Sequence, residues 1–191
     1  MILKLLICCC VAPIVLFGIG GITLGTLTLK WMTKADLFGP VYTVEDAVLN
    51  KFTVTPNKTL DYDLAVTFVV ENLKAVNKET KWDKLISIPI YENEELGIAN
   101  SSPLEIKSVG KKELKTSYKA EDKKISNVDR IVKDAKFQDI LLTIEAKRST
   151  KTLIMWFKVK NEFTYECRMK VPTKTGGQKF EKVKCERKKK K

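Results

Sequence analysis

The sequence predicts a mainly β protein, an antiparallel β-sandwich of the immunoglobulin or fibronectin-III-like kind with one short helix, preceded by a single transmembrane helix. Three observations predict it. Leu5 through Leu29 form an uncharged run of 25 residues between Lys4 and Lys30. Beyond Lys30, apolar residues recur at alternate positions in short, evenly punctuated segments, the period of strands with one buried face. A single segment, "SNVDRIVKDAKF", repeats instead with helical spacing.

As a helix the uncharged run would be about 37 Å long, more than the roughly 30 Å hydrocarbon core, so it can span with some tilt. A cleaved signal peptide is the competing reading: Met1–Lys4 as basic start, Leu5–Phe17 as apolar centre, Gly18-Ile19-Gly20 as cleavage site. Cutting after Gly20 would leave the apolar stub Gly21–Leu29 facing water, and the run exceeds an ordinary signal core. Retention as an anchor is the expectation. Gly21-x-x-x-Gly25 has the spacing that lets two such helices approach closely and self-associate. The expected organisation is a short cytosolic start (1–4), the transmembrane helix (5–29), a linker (30–39), a β-sandwich domain (40–186) and a basic tail (187–191).

Within the domain, "PVYTVEDAVLNKFTVTP" offers two short strands. "LDYDLAVTFVVEN" alternates Leu60, Tyr62, Leu64, Val66, Phe68 and Val70 against mostly polar neighbours and predicts one long strand. "KLISIPIYENEELGIAN" reads as a hairpin turning around Glu92-Asn93-Glu94, with Pro89 marking an edge position or a bulge. "PLEIKSV" and "KELKTSYKA" continue as strands, with Gly110 between them. Ser126 can cap the helix with Asp129 three residues on, after Ile125; Val128, Ile131, Val132 and Ala135 form its apolar stripe. Strands resume with "FQDILLTIEAK", burying Ile140, Leu142, Ile144 and Ala146, then "TLIMWFKV" and "FTYECRMKV".

"PTKTGGQ" is turn-rich, and a hairpin centred on Gly176 sets Cys167 opposite Cys185, on one face with Met169 and Val183. Opposed cysteines at that spacing can bridge; the alternative is two unpaired apolar thiols. A bridge would place the domain in an oxidising space outside the cytosol, and the amino terminus in the cytosol. There Cys8, Cys9 and Cys10 would lie at the membrane boundary, positioned for S-acylation or serving as apolar filler. Three adjacent cysteines suit a tetrahedral zinc site poorly, and the chain has no histidine. Asn57-Lys58-Thr59 and Asn100-Ser101-Ser102 are N-glycosylation sequons.

The chain carries 35 Lys and Arg against 23 Asp and Glu, a net charge of +12. Seven of the positive charges lie in the final "KVKCERKKKK". Lys182, Lys184, Arg187, Lys188, Lys189, Lys190 and Lys191 are candidates for holding a polyanion, an anionic lipid surface or an acidic polysaccharide, and otherwise form a solvated tail. Nucleic acid is not expected, because no aromatic residues interleave the basic run. Lys188–Lys191 also fits a dilysine retrieval signal, readable only from the cytosol.

The arrangement resembles the plant NHL family, the harpin-induced-like and non-race-specific-disease-resistance-like proteins built on the second-group late embryogenesis abundant domain. The resemblance rests on "VYTVEDAVLNKFTVT", "YDLAVTFVVEN", "KLISIPIYENEELGIA" and "LTIEAKRSTKTLIMWFKVKNEFTYECRMKV". It departs after the first long strand, where the family commonly has Asn-Pro-Asn and this chain has Asn72-Leu73-Lys74. The cytosolic start is short, and the lysine-rich end is not a family trait. The resemblance implies a seven-or-so-stranded sandwich, plasma-membrane residence and roles in plant defence and stress responses, with no catalytic residues.

Chemistry is not expected. Without histidine the commonest general base is missing. Ser108-Val109-Gly110-Lys111 fits Ser-x-x-Lys but lies in a turn without the helix that would aim both side chains. Gly176-Gly177 lacks phosphate-loop spacing. No cofactor is expected. The leading function is non-enzymatic binding by a membrane-anchored domain outside the cytosol. The alternatives are a lipid-binding module, and a cleaved, secreted basic protein adhering to acidic wall polymers. Endoplasmic reticulum residence is the alternative to the plasma membrane.

Overall fold

In the computed structural model, residues 21, 23–25, 27–28, 39–73, 77–107, 109–126, 136–152, 158–174 and 178–188 are described. The chain divides into two compact units, Met1–Gly39 and Pro40–Lys191. In the first unit the described residues from Gly21 to Thr28 are helical, and Thr28 Oγ1 donates to the carbonyls of Gly25 and Leu24 at 2.9 and 3.1 Å. Among the described residues no helix is long and apolar enough to cross a membrane, and most of the uncharged run lies outside them.

The second unit is built from antiparallel strands. They are β1 (Val41–Val54), β2 (Thr59–Asn72), β3 (Asn77–Tyr91), β4 (Glu94–Glu95), β5 (Ala99–Asn100) and β6 (Leu104–Lys107). Then follow β7 (Gly110–Lys124), β8 (Phe137–Thr152), β9 (Lys158–Pro172), β10 (Val183–Lys184) and β11 (Glu186–Arg187). One sheet has the order β10-β1-β2-β7; the other runs β11-β9-β8-β3-β4, with β5 and β6 also pairing β3. A single apolar core holds residues of both sheets, among them Val44, Leu64 and Phe68 of the first and Leu85, Leu142 and Ile144 of the second.

β2 keeps the alternation of its sequence from Leu60 to Val70, inward residues buried and Asp61, Asp63 and Thr67 outward. β1 corrects the expectation of two short strands in this stretch. It is one strand of 14 residues with register shifts against β2 between Val44 and Asp46 and between Leu49 and Lys51. Glu45 and Asn50 are the surplus residues. Each bulge reverses which parity faces the core, so Tyr42 and Val44, then Ala47 and Leu49, then Phe52 and Val54 turn inward. A period-two pattern broken twice reads as separate strands, although the ladder with β2 continues.

The β3–β4 hairpin turns through Glu92 and Asn93, both at positive φ (47° and 68°), a two-residue loop of the primed type that matches strand twist. Pro89 lies in β3 at the gap between the β4 and β5 pairings, where its carbonyl accepts the Leu96 N–H at 2.7 Å. Nitrogen and carbonyl of a strand residue face the same side, so the absent N–H falls on that interrupted edge and spares the ladder with β8. β6 and β7 are consecutive but belong to different sheets, so the chain crosses between Lys107 and Gly110. β7 is an edge strand carrying Lys111, Lys112, Lys115, Lys119, Lys123 and Lys124, the charge pattern that discourages edge-to-edge pairing.

β8 buries Ile140, Leu142, Ile144 and Ala146. The expected helix at 126–137 falls mainly on residues outside the described ones, as do Leu153–Phe157 of "TLIMWFKV" and Gly176-Gly177. Cys8, Cys9, Cys10, Lys189, Lys190 and Lys191 lie outside them too.

Candidate functional site

The carboxyl-terminal segment joins the two sheets. A turn-rich connection returns the chain beside β9, and Cys167 and Cys185, both buried, form a disulfide with Cα atoms 4.3 Å apart. The register of β11 against β9, Glu186 opposite Glu166 and Arg187 opposite Tyr165, is the one a hairpin centred on Gly176 dictates. Before the disulfide the hairpin expectation fails. Val183 and Lys184 pair with Val44 and Thr43 of β1, so Val183 is not on one face with Met169. Cys185 N–H donates to the Tyr42 carbonyl at 2.9 Å, the point at which the chain passes from one sheet to the other. The physical reason is the otherwise open edge of β1, whose backbone groups take β10 as their partner before the chain reaches the edge of β9.

Aromatic residues fill the space beneath this crossing. The Tyr42 and Tyr165 rings lie 4.3 Å apart, and Trp82 Nε1–H donates to Tyr42 Oη at 2.8 Å. Buried Arg148 donates to Tyr165 Oη at 3.1 Å and lies 4.8 Å from the centre of the Phe163 ring. Arg187 lies 4.3 Å from the same ring, and cations near an aromatic face are held by its quadrupole. Arg187 is thus a strand residue packed on the domain, which corrects the tail boundary of 187–191.

The other basic candidates divide by partner. Lys182 forms an ion pair with Glu45, and Lys188 with Glu166 at 2.7 Å. Both lysines are largely exposed, and exposed pairs contribute little, so these charges stay available to a polyanion. Lys184 is exposed. Lys188 N–H donates to the Thr164 carbonyl at 2.8 Å, and β11 runs antiparallel to β9, so the chain leaves toward the end of the domain where β9 begins.

That end gathers basic residues from distant parts of the sequence. The registers Val41 with Glu71, Asn72 with Gly110, Glu79 with Lys107 and Lys151 with Lys158 all lie there. Short connections from Asn72 to Asn77 and from Lys107 to Gly110 keep the two sheets' ends together. Lys107, Lys111, Lys112, Lys151 and Lys160 are exposed at this end. The nearby acids are engaged: Glu79 with Lys81 at 2.9 Å, Glu113 with Lys115 at 3.4 Å, and Glu71 opposite Lys111 in the ladder. The opposite end carries Glu92, Glu94, Glu95, Glu121 and Asp122 beside Lys58, Lys123, Lys124, Lys136 and Lys174, so acids and lysines balance there. Sequence reasoning found the terminal lysines because they are contiguous and missed the other five, which only the strand registers bring together.

Of the sequons, Asn57 is exposed in the β1–β2 turn, where Thr59 Oγ1 donates to Asp122 at 3.0 Å. Asn100 is exposed on β5, its side-chain oxygen accepting from Ser102 N at 3.0 Å and Ser102 Oγ at 2.5 Å. An open cleft of about 920 Å³ lies between the first β1 bulge and residues 178–182. Its walls mix charged Glu45, Glu181 and Lys182 with apolar Val48, Pro172 and Phe180.

Titration is perturbed at few places. The Lys51 ammonium at 2.8 Å, and then the Asp122 N–H, hold the Asp61 carboxyl below the usual carboxylate range. Burial pushes the Tyr118 hydroxyl up, with its hydrogen bonds to Ser87 and Thr116 opposing. Ser108 of the Ser-x-x-Lys match lies outside the described residues, and its Lys111 is exposed at the start of β7. Among the described residues no three His, Cys, Asp or Glu side chains are grouped to hold a metal ion. No protein-family model matches the chain, and no curated protein matches it.

Proposed function

We propose that this chain is a single-pass membrane protein whose disulfide-stapled domain, an immunoglobulin- or fibronectin-III-like sandwich, stands outside the cytosol and acts by binding rather than by catalysis. The observation that carries the reading is the pairing of an uncharged 25-residue run with the Cys167–Cys185 disulfide further along the chain. A spanning segment separates two compartments, and a persistent disulfide belongs to the oxidising one. The amino terminus, with Cys8–Cys10 as S-acylation candidates, is then cytosolic, and Asn57 and Asn100 face the glycosylation machinery. The absence of histidine supports a non-catalytic role. The resemblance to the plant NHL family adds defence and stress responses at the plasma membrane as the setting.

The test is a topology map of the full chain in native membranes. The protein should resist alkaline carbonate extraction, both late cysteines should refuse alkylation until reduced, and protease added outside should reach the carboxyl end. Free thiols at Cys167 and Cys185 with a carboxyl end reachable only from the cytosol would refute the proposal. Release by carbonate, with a mass lacking residues 1–20, would favour the cleaved basic protein.

A further inference from the structure

We infer that the end of the domain where β1 begins is a docking surface for an anionic bilayer. Its core would be Leu73 and Val109, ringed by Lys107, Lys111, Lys112, Lys151 and Lys160. The two apolar residues are 56 % and 59 % exposed, and they occupy the two inter-sheet crossings at this one end. Neither side chain serves the core. Lysines surrounding a small apolar tip suit the headgroup region, where the apolar group enters the acyl boundary and the ammonium groups meet phosphate.

The occupant follows from the chain itself. β1 starts at Val41, and the uncharged run ends at Leu29, so a bilayer holding that run can be no further from this end than eleven intervening residues reach, about 40 Å at full extension. In this respect the inference rests on the anchored reading. Charge complementarity then selects acidic headgroups over zwitterionic ones, here in the leaflet on the domain's own side of the membrane.

Residues 40–191 suit a direct test, because the buried core extends from Tyr42 to Cys185 and the disulfide lies within it. The probes are large vesicles of phosphatidylcholine alone and of phosphatidylcholine with phosphatidylserine at about 7:3. The expected result is co-sedimentation with the acidic vesicles only, reversed by raised salt. L73D/V109D, at exposed positions, should weaken binding about tenfold with the circular dichroism spectrum unchanged. K111E/K112E should weaken it at least as much. No binding to acidic vesicles, or variants that bind like the parent, would overturn the inference, as would binding abolished by removing residues 188–191 alone. Carbonate extraction of the full chain reports separately on the anchor. Resistance to extraction with a non-binding domain defeats only the docking surface; release by carbonate with a binding domain defeats only the anchor.

Discussion

Breaking the Cys167–Cys185 disulfide tests how the carboxyl-terminal strand is held. The bridge closes a loop with a sequence separation of 18. The loop-closure relation gives about 3 kcal/mol of stabilisation for a loop of this size, by restricting the unfolded chain. For a domain of this length, that corresponds to a fall in Tm of roughly 6–12 °C. The consequence should also be local. With the bridge gone, β10 and β11 are two residues each, and the crossing is left to bonds such as Cys185 N–H to Tyr42 and Lys188 N–H to Thr164. Thermal unfolding of residues 40–191, oxidised, reduced and as C167A/C185A, measures the first effect. Amide exchange measures the second, with the Cys185 and Lys188 amides losing protection before those of β2 and β8. A midpoint unchanged by reduction, or exchange that stays slow at both amides, would refute the view of the disulfide as the fastening of this strand.

At the β3–β4 turn, E92N/N93G should raise stability by about 0.5–1 kcal/mol, read as a higher urea midpoint, because both positions sit at positive φ where those residues are least strained. Leu142→Ala, in the fully buried centre of β8, should lower stability by about 2–5 kcal/mol in the same assay. Trp82→Phe keeps an apolar ring but removes the donor to Tyr42 Oη, and should cost about 1–3 kcal/mol. Asp61 titrates low when folded, so its contribution is present above the ordinary carboxylate pKa near 4 and is lost as pH falls through the lowered folded value. D61N should therefore flatten the loss of stability as pH falls below about 4, and an unchanged slope would show that the Lys51 pair is not coupled to folding.

How much was legible depended on range. β2 could be read directly because one phase of alternation persists from Leu60 to Val70. The Cys167–Cys185 alignment was legible because hairpin register is local arithmetic, fixed by where the turn lies. The unity of β1 was not, since Glu45 and Asn50 each reverse the phase and only the partner strand reveals the continuity. Sheet membership was hidden too: β6 and β7 carry strand patterns separated by two residues, yet one pairs β3 and the other β2. The cationic end failed for the same reason. Lys107, Lys112 and Lys160 have nothing in common along the chain, and their proximity is a product of long-range pairing.

The two surplus residues of β1 set where this domain can change length. Removing Glu45 or Asn50 would leave the remaining β1 residues opposite their present partners on β2, merely straightening the ladder. Removing Ala47 instead would slide Asp46 opposite Val66, turning a carboxylate toward the apolar interior. Single-codon losses should thus be tolerated at positions 45 and 50 and purged from 47 to 49, so that one strand carries both a hinge for drift and a barrier against it.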